Sequence, residues 1–425
     1  SLGQKHFPLT IYNLAARCYR TRGTLYQRNL YLTVGLMKRF FVFLIIIIFT
    51  MIACRLSNTG SKPPAGSSQE GTPVAQASAT PVSPEMGVTP TQTPSAAPCI
   101  GLSVASVTTL IELGGNVDWS PDGKWIAYDA PDANNWTQTW IMRSDGSEKT
   151  CLTCNNSAFP TPLHIGNPTW HPAQKWIVVQ AVEQPFYDGL PSADSANKQR
   201  IMDVGVGVGN DLWAMSVDGS QFIKLTDVWG ESRWAGGVLH PHFSHDGRIL
   251  AWTQRVENTP GDPGGAWVIK IADFILENDL PHLANLRTLK PWSGEGVAEV
   301  HSFSPDDSLL LFTTNADGQP RRGFDIYSLD LATNRPTQLT NTPNEWDEHA
   351  QYSPDGRCIA WMSSRNAGAA AQLLKTEMWL MSADGSEQKQ LTTFNDPNSK
   401  FYLAEPYGVV VADSSWSPDG RQLLV

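Results

Sequence analysis

Six copies of one segment, tight Asp-Gly turns and recurring Leu-Thr ends together predict an all-β chain folded as a six-bladed β-propeller of four-stranded antiparallel blades. The segment is an aromatic residue, a Ser-Pro-Asp-Gly-like turn and a short apolar run. Its copies are WSPDGKWIAY from Trp119, WHPAQKWIVV from Trp170, FSHDGRILAW from Phe243, FSPDDSLLLF from Phe303, YSPDGRCIAW from Tyr352 and WSPDGRQLLV from Trp416. A unit of this size cannot bury its own apolar faces, so neighbouring copies must stack.

Each copy reads as a series of short strands. The aromatic residue closes the first; Pro fixes φ, Gly accepts φ > 0, and the apolar run, such as Trp125-Ile126-Ala127-Tyr128, is the second. A third strand follows in Thr139–Met142, Leu212–Met215, Asp325–Ser328 and Met378–Met381. Three of these run into Asp145-Gly146, Asp218-Gly219 and Asp384-Gly385, a strong hairpin signal. The fourth strand ends at Leu152-Thr153, Leu225-Thr226, Leu339-Thr340 or Leu391-Thr392.

The copies resemble the TolB-type, WD-repeat-like β-propeller family over residues 105–425, most closely from Tyr352 to Thr392. The second and third copies depart from the pattern, with His171-Pro172-Ala173-Gln174 and Ser244-His245-Asp246-Gly247 at the turn. Val107–Ile111 lies where the fourth strand of a preceding blade would be, so it is expected to complete the last blade, as the family usually closes its ring. That closure removes exposed sheet edges. The chain stops at Val425 inside a second strand, so the last blade is expected to be incomplete.

Four segments are expected. Residues 1–36 read as an upstream extension, with Met37 the natural start. Residues 37–54 resemble a bacterial lipoprotein signal: Lys38 and Arg39 precede an apolar stretch, and Cys54 follows a small residue as the expected lipidation site. Residues 55–104 are a Pro/Ser/Thr-rich linker with too little apolar surface to offset chain entropy. Residues 105–425 are the propeller. An exported, membrane-anchored lipoprotein of the cell surface or periplasm is the expected localisation.

The whole chain carries a net charge of −10, and residues 55–425 alone carry −17. Such a surface repels phosphate backbones, which argues against nucleic acid as a partner. Cys99, Cys151 and Cys154 are open to disulfide formation in an exported protein, and Cys358 falls in a buried strand. The spacing Cys151-Leu152-Thr153-Cys154, without a second such pair, reads as packing or a structural disulfide rather than a zinc half-site.

Tight turns occupy one face of the ring, which leaves the long connections at 181–210, 227–239 and 394–413 on the other. Candidate binding residues on that loop-rich face are Trp136, Trp229, Trp234, Trp346, Tyr402 and Tyr407. A second candidate group lies where the innermost strands begin: Asn116, Asn167, His240, His349 and Asp413 occupy one repeat position, with Val300 the apolar exception and His242 and His301 close by. A solvent-lined channel mouth is the expected reading, with no cofactor or resident metal; a metal or anion site is the alternative.

These observations support a non-catalytic binding or scaffolding propeller recognising an envelope protein, peptide or glycan. Two enzymatic alternatives come from resemblance. Prolyl-oligopeptidase-like peptidases place a propeller beside an α/β-hydrolase domain, but the chain contains no G-x-S-x-G elbow. Propellers of the oligogalacturonate lyase type carry similar turns and use histidines to hold a metal.

Overall fold

A computed structural model describes residues 7–14, 99–159, 163–189, 204–228, 236–257, 266–294, 296–316, 323–366, 375–405 and 408–425. The chain divides into two compact units, residues 1–17 with 96–425 and residues 18–95. The second unit, with Cys54 and most of the expected linker, lies outside the described residues, as do Trp229, Trp234 and Tyr407.

Five blades are built from consecutive strands. Blade one comprises Gly115–Trp119, Trp125–Pro131, Thr137–Arg143 and Thr150–Cys151. Blade two comprises Ile165–Trp170, Trp176–Val182, Asn210–Ser216 and Phe222–Lys224. Blade three comprises Gly237–Phe243, Ile249–Glu257, Ala266–Glu277 and Leu280–Leu289. Blade four comprises Ala298–Phe303, Leu309–Thr314, Asp325–Asp330 and Arg335–Gln338. Blade five comprises Asp347–Tyr352, Cys358–Ser363, Glu377–Ser382 and Lys389–Gln390. Every pairing within them is antiparallel.

The expected count of six blades is therefore corrected to five. The sixth repeat contributes only Ser415–Trp416 and Gln422–Leu424, and the rest of its sheet comes from elsewhere in the chain. Phe7–Leu14 lies between Gln422–Leu424 and Leu102–Ile111 and runs parallel to both. A blade made by successive tight turns must alternate strand direction, and this sheet does not, so it is a composite of chain ends. Val107–Ile111 thus reaches the sheet of the final strands through Phe7–Leu14 rather than by direct pairing.

The turn signal has one physical basis in five of the six copies. Ser120 Oγ donates to Asp122 Oδ1 at 2.8 Å and accepts from the Trp125 amide at 2.9 Å, while Gly123 takes φ = 70°. Ser244/Asp246, Ser304/Asp306, Ser353/Asp355 and Ser417/Asp419 repeat the hydroxyl-to-carboxylate bond. The variant second copy keeps the turn by other means. Gln174 takes φ = 60° in place of glycine, and His171 Nδ1 accepts from the Ala173 amide at 3.1 Å in place of the Ser-Asp pair.

The apolar core lies between blades. Ala127 and Leu152 of blade one pack with Ile165, Trp170, Ile177 and Met215 of blade two; Leu311 and Ile326 of blade four pack with Trp361 and Trp379 of blade five. The repeat-frame residues Trp119, Trp170, Trp379 and Trp416 are buried. Disulfides join Cys99 to Cys358 and Cys151 to Cys154. The first closes a sequence separation of 259 residues, pinning the segment before Leu102–Ile111 to blade five. By loop-closure entropy such a crosslink stabilises the fold by about 5 kcal/mol.

Leu9 and Ile11 are fully buried against Met362, Leu380, Phe394 and Leu423. Ile11→Ala is therefore expected to lower unfolding stability by about 2–5 kcal/mol in urea titrations. A midpoint unchanged from that of the parent chain would remove Phe7–Leu14 from the sheet.

Candidate functional site

The innermost strand of each blade breaks its pairing register at one place: between Gly115 and Val117, Gly166 and Thr169, Leu239 and His242, Val300 and Phe303, and Glu348 and Gln351. These are β-bulges, which re-aim side chains. Four bulge residues have left-handed backbone: Asn116 at φ = 30°, Asn167 at 55°, His240 at 48° and His349 at 54°. Asn and His are enriched in that region because a short polar side chain tolerates it, whereas β-branched residues do not. The polar repeat position therefore has a backbone cause, and Val300 fits the rule because its φ is not positive.

The next blade is locked to the bulge by a side chain ten residues after the motif aromatic. Asp129 Oδ2 accepts from the Asn167 amide at 3.1 Å, Gln180 Oε1 from the His240 amide at 3.0 Å and Thr253 Oγ1 from the Val300 amide at 2.8 Å. Thr313 occupies the same position and donates to the Asp347 carbonyl at 3.3 Å.

At this ring the seven expected residues separate into two kinds. Asn116 Nδ2 donates to Asp129 Oδ2 at 2.6 Å and Asn167 Nδ2 to Gln180 Oε1 at 2.7 Å, so both are used within their own blades. His240, His301 and His349 converge instead, with one ligand-capable atom of each lying within 4.8 Å of the others. The rings of His240 and His349 have centroids 5.1 Å apart, and those of His301 and His349 lie 5.7 Å apart. His240 is 4% exposed and His301 1%, so these imidazoles are packed, where the sequence suggested a wet channel lining. His242 lines a small adjoining axial cavity of about 40 Å³ with Asp118, Asn167, Gln351 and Asp413.

Carboxylates flank the imidazoles. His240 Nδ1 contacts Glu299 Oε1, and His349 contacts Asp413 Oδ1 through Nδ1 at 3.0 Å and Glu348 Oε2 through Nε2 at 3.6 Å. Burial opposes charge on His349, but Asp413 and Glu299 outweigh it and push its pKa up to about 10. Burial would raise Asp413, yet His349 holds it at about 2. Burial also works against an ionised Glu299, and His240 overcomes it, so this carboxyl stays low. Glu348 is driven well up, first by burial and then by the Glu299 charge beside it. Burial pushes His301 well down and His242 to about 3.

Glu299 and Glu348 were missed in the sequence. Their signal is an acidic residue immediately before the ring position in two adjacent blades, visible once that neighbouring column is read as well.

A separate cleft of about 370 Å³ opens on the loop-rich face. It is formed by the connection between the second and third strands of blade one and by the link from blade one to blade two. Asp132, Asn134, Trp136, Gln138, Asn155 and Phe159 are among its lining residues. Trp136 packs edge-on to His164, with ring centroids 4.8 Å apart, and the Cys151–Cys154 disulfide secures the second wall. The other loop aromatics among the described residues, Trp346 and Tyr402, do not join it. Trp346 is half-buried beside the axial cluster, its Nε1 donating to Glu348 Oε2 at 2.5 Å, and Tyr402 is 40% exposed on the 394–413 connection.

No family model matches the chain. Dipeptidyl-peptidase 5 of Porphyromonas endodontalis is 24% identical over 290 residues, covering 63% of this chain and 39% of that protein. The uncharacterized peptidase YuxL of Bacillus subtilis is 36% identical over 125 residues, covering 29% of this chain and 16% of that protein. The chain thus spans about two fifths or less of the length of these two relatives. Among solved structures, the putative TolB from Agrobacterium tumefaciens aligns at a TM-score of 0.48 and 15% identity, over 73% of this chain and 87% of that one.

Asp118 offers a titration test of the ring. Its Oδ2 accepts from the Trp170 amide at 2.8 Å and its Oδ1 from Ser415 Oγ at 3.1 Å, which ties blades one and two to the composite sheet. Burial raises its pKa to about 6. A raised carboxyl favours the fold while protonated, below its ordinary value of 3.8, and loses that contribution as pH climbs through about 6. Asp118→Asn is therefore expected to flatten the stability change between pH 4 and 7, and an identical pH slope in the variant would discount Asp118 as its source.

Proposed function

We propose that this chain is an exported ligand-binding propeller that holds a peptide or glycan segment of an envelope partner on its loop-rich face. The observation that carries this reading is the cleft at Trp136. Its volume falls within the range of small-ligand sites, and an aromatic surface framed by amide side chains suits a chain rich in hydroxyl and amide groups. Its walls are connections mounted on two rigid blades, the usual place for recognition. Two disulfides support export, because such bonds persist in oxidising compartments.

A second reading makes the chain the propeller portion of a peptidase. The matches to dipeptidyl-peptidase 5 and YuxL favour it. In that case the cleft would sort peptides for a hydrolase domain.

One experiment separates the two. Full-length protein is titrated with peptides and with cell-wall glycan fragments while tryptophan fluorescence is followed, and the same samples are assayed for release of a dipeptide-linked chromophore. The binding reading expects saturable quenching that weakens at least tenfold in Trp136→Ala, is retained in Ser386→Ala on the opposite face, and is accompanied by no hydrolysis. Hydrolysis would replace it with the peptidase reading. Quenching indifferent to Trp136→Ala would move the site away from this cleft.

A further inference from the structure

The axial cluster carries an inference independent of the cleft. We propose that His240, His301 and His349 form a site for one divalent transition-metal ion of the zinc class, held at the propeller axis by three imidazoles from three successive blades. Three observations converge on it. One nitrogen of each ring lies within 4.8 Å of the others, although the residues are separated by 61 and 48 positions in sequence. His301 Nε2 is buried without a hydrogen-bond partner, a costly state for a polar atom that a metal would relieve. His240 and His349 each turn Nδ1 to a carboxylate, Glu299 and Asp413, which leaves Nε2 as the ligand atom of each ring, that of His349 with Glu348 Oε2 3.6 Å away.

That last arrangement is what metal-binding histidines require. A carboxylate accepting from Nδ1 fixes the tautomer and the ring orientation and raises the basicity of the opposite nitrogen. Imidazole suits zinc, copper, nickel and iron, whereas magnesium and calcium prefer all-oxygen shells. At zinc–nitrogen bonds of about 2.0–2.1 Å, two imidazole nitrogens on a tetrahedral ion sit roughly 3.4 Å apart, so binding draws the rings together by about an ångström. Side-chain rotation supplies such a movement. Three protein nitrogens also leave a fourth position on the ion. Asn116 and Asn167 belong to the same repeat column but are engaged elsewhere, which confines the site to blades three to five.

The test uses the full chain, stripped with chelator and titrated with Zn²⁺ and, separately, Co²⁺. One equivalent is expected to bind, with visible cobalt bands of tetrahedral nitrogen coordination and a higher Tm in the presence of zinc. His301→Gln and His349→Gln should each weaken binding at least tenfold, while His245→Gln, an exposed histidine paired with Asp307, should leave it unchanged. Absence of stoichiometric binding to folded parent protein, or binding that survives His301→Gln, overturns the proposal. Should the variants fail to fold, X-ray absorption on the zinc-loaded parent decides: three imidazole scatterers support the site, and fewer exclude it.

Discussion

The hydrogen bond that the bulged amide of one blade donates to a second-strand side chain of the blade before it is the constraint on which the axis depends. Asp129, Gln180 and Thr253 are buried polar groups placed where an unpaired amide would otherwise face the core. Each bond satisfies a donor that the bulge removes from its own ladder, and it does so across a blade boundary. Apolar packing between blades is non-directional and would tolerate sliding. The capped bulge is directional, and in blades two, three and four it sets the height at which the inner strand delivers its side chain to the axis.

This constraint explains why one repeat column has two uses. A left-handed bulge selects Asn or His for conformational reasons, so polarity in the column is first a property of the fold. Where the residue is Asn, the side chain folds back onto Asp129 or Gln180 and the position is purely structural. At His240 and His349 the same backbone directs an imidazole inward, and the neighbouring Glu299 and Asp413 orient it. His301 comes from a blade whose bulge position is Val300, and it reaches the cluster from one residue further along the strand. The cleft at Trp136 has a different origin, in loops that the ring carries but does not dictate.

Much of the fold was legible because the repeat encodes local geometry. Ser-Pro-Asp-Gly specifies a turn whose hydroxyl, carboxylate and glycine each have a defined contact, and an apolar run follows wherever a buried second strand is needed. The sixth unit was not legible as a composite sheet because Phe7–Leu14 bears no repeat signature and pairs in parallel over a long sequence distance. The pairing of Cys99 with Cys358 was likewise invisible, since nothing local marks a contact between residues so far apart. At the axis, residue identities marked one repeat column, yet burial and the carboxylate partners follow from how neighbouring blades are phased, which composition does not reveal. Trp136 was legible as a loop aromatic, and the amide side chains around it were not.

The central claim is that cross-blade capping of the bulge positions the axial histidines. Amide hydrogen exchange measured residue by residue tests it directly in Gln180→Met, which keeps the side-chain volume and removes the acceptor for the His240 amide. The account predicts that protection is lost at His240 while the Val300 amide, capped by Thr253, keeps its own, with a stability cost of about 1–3 kcal/mol for the orphaned donor. Unchanged protection at His240 in a folded variant would contradict it.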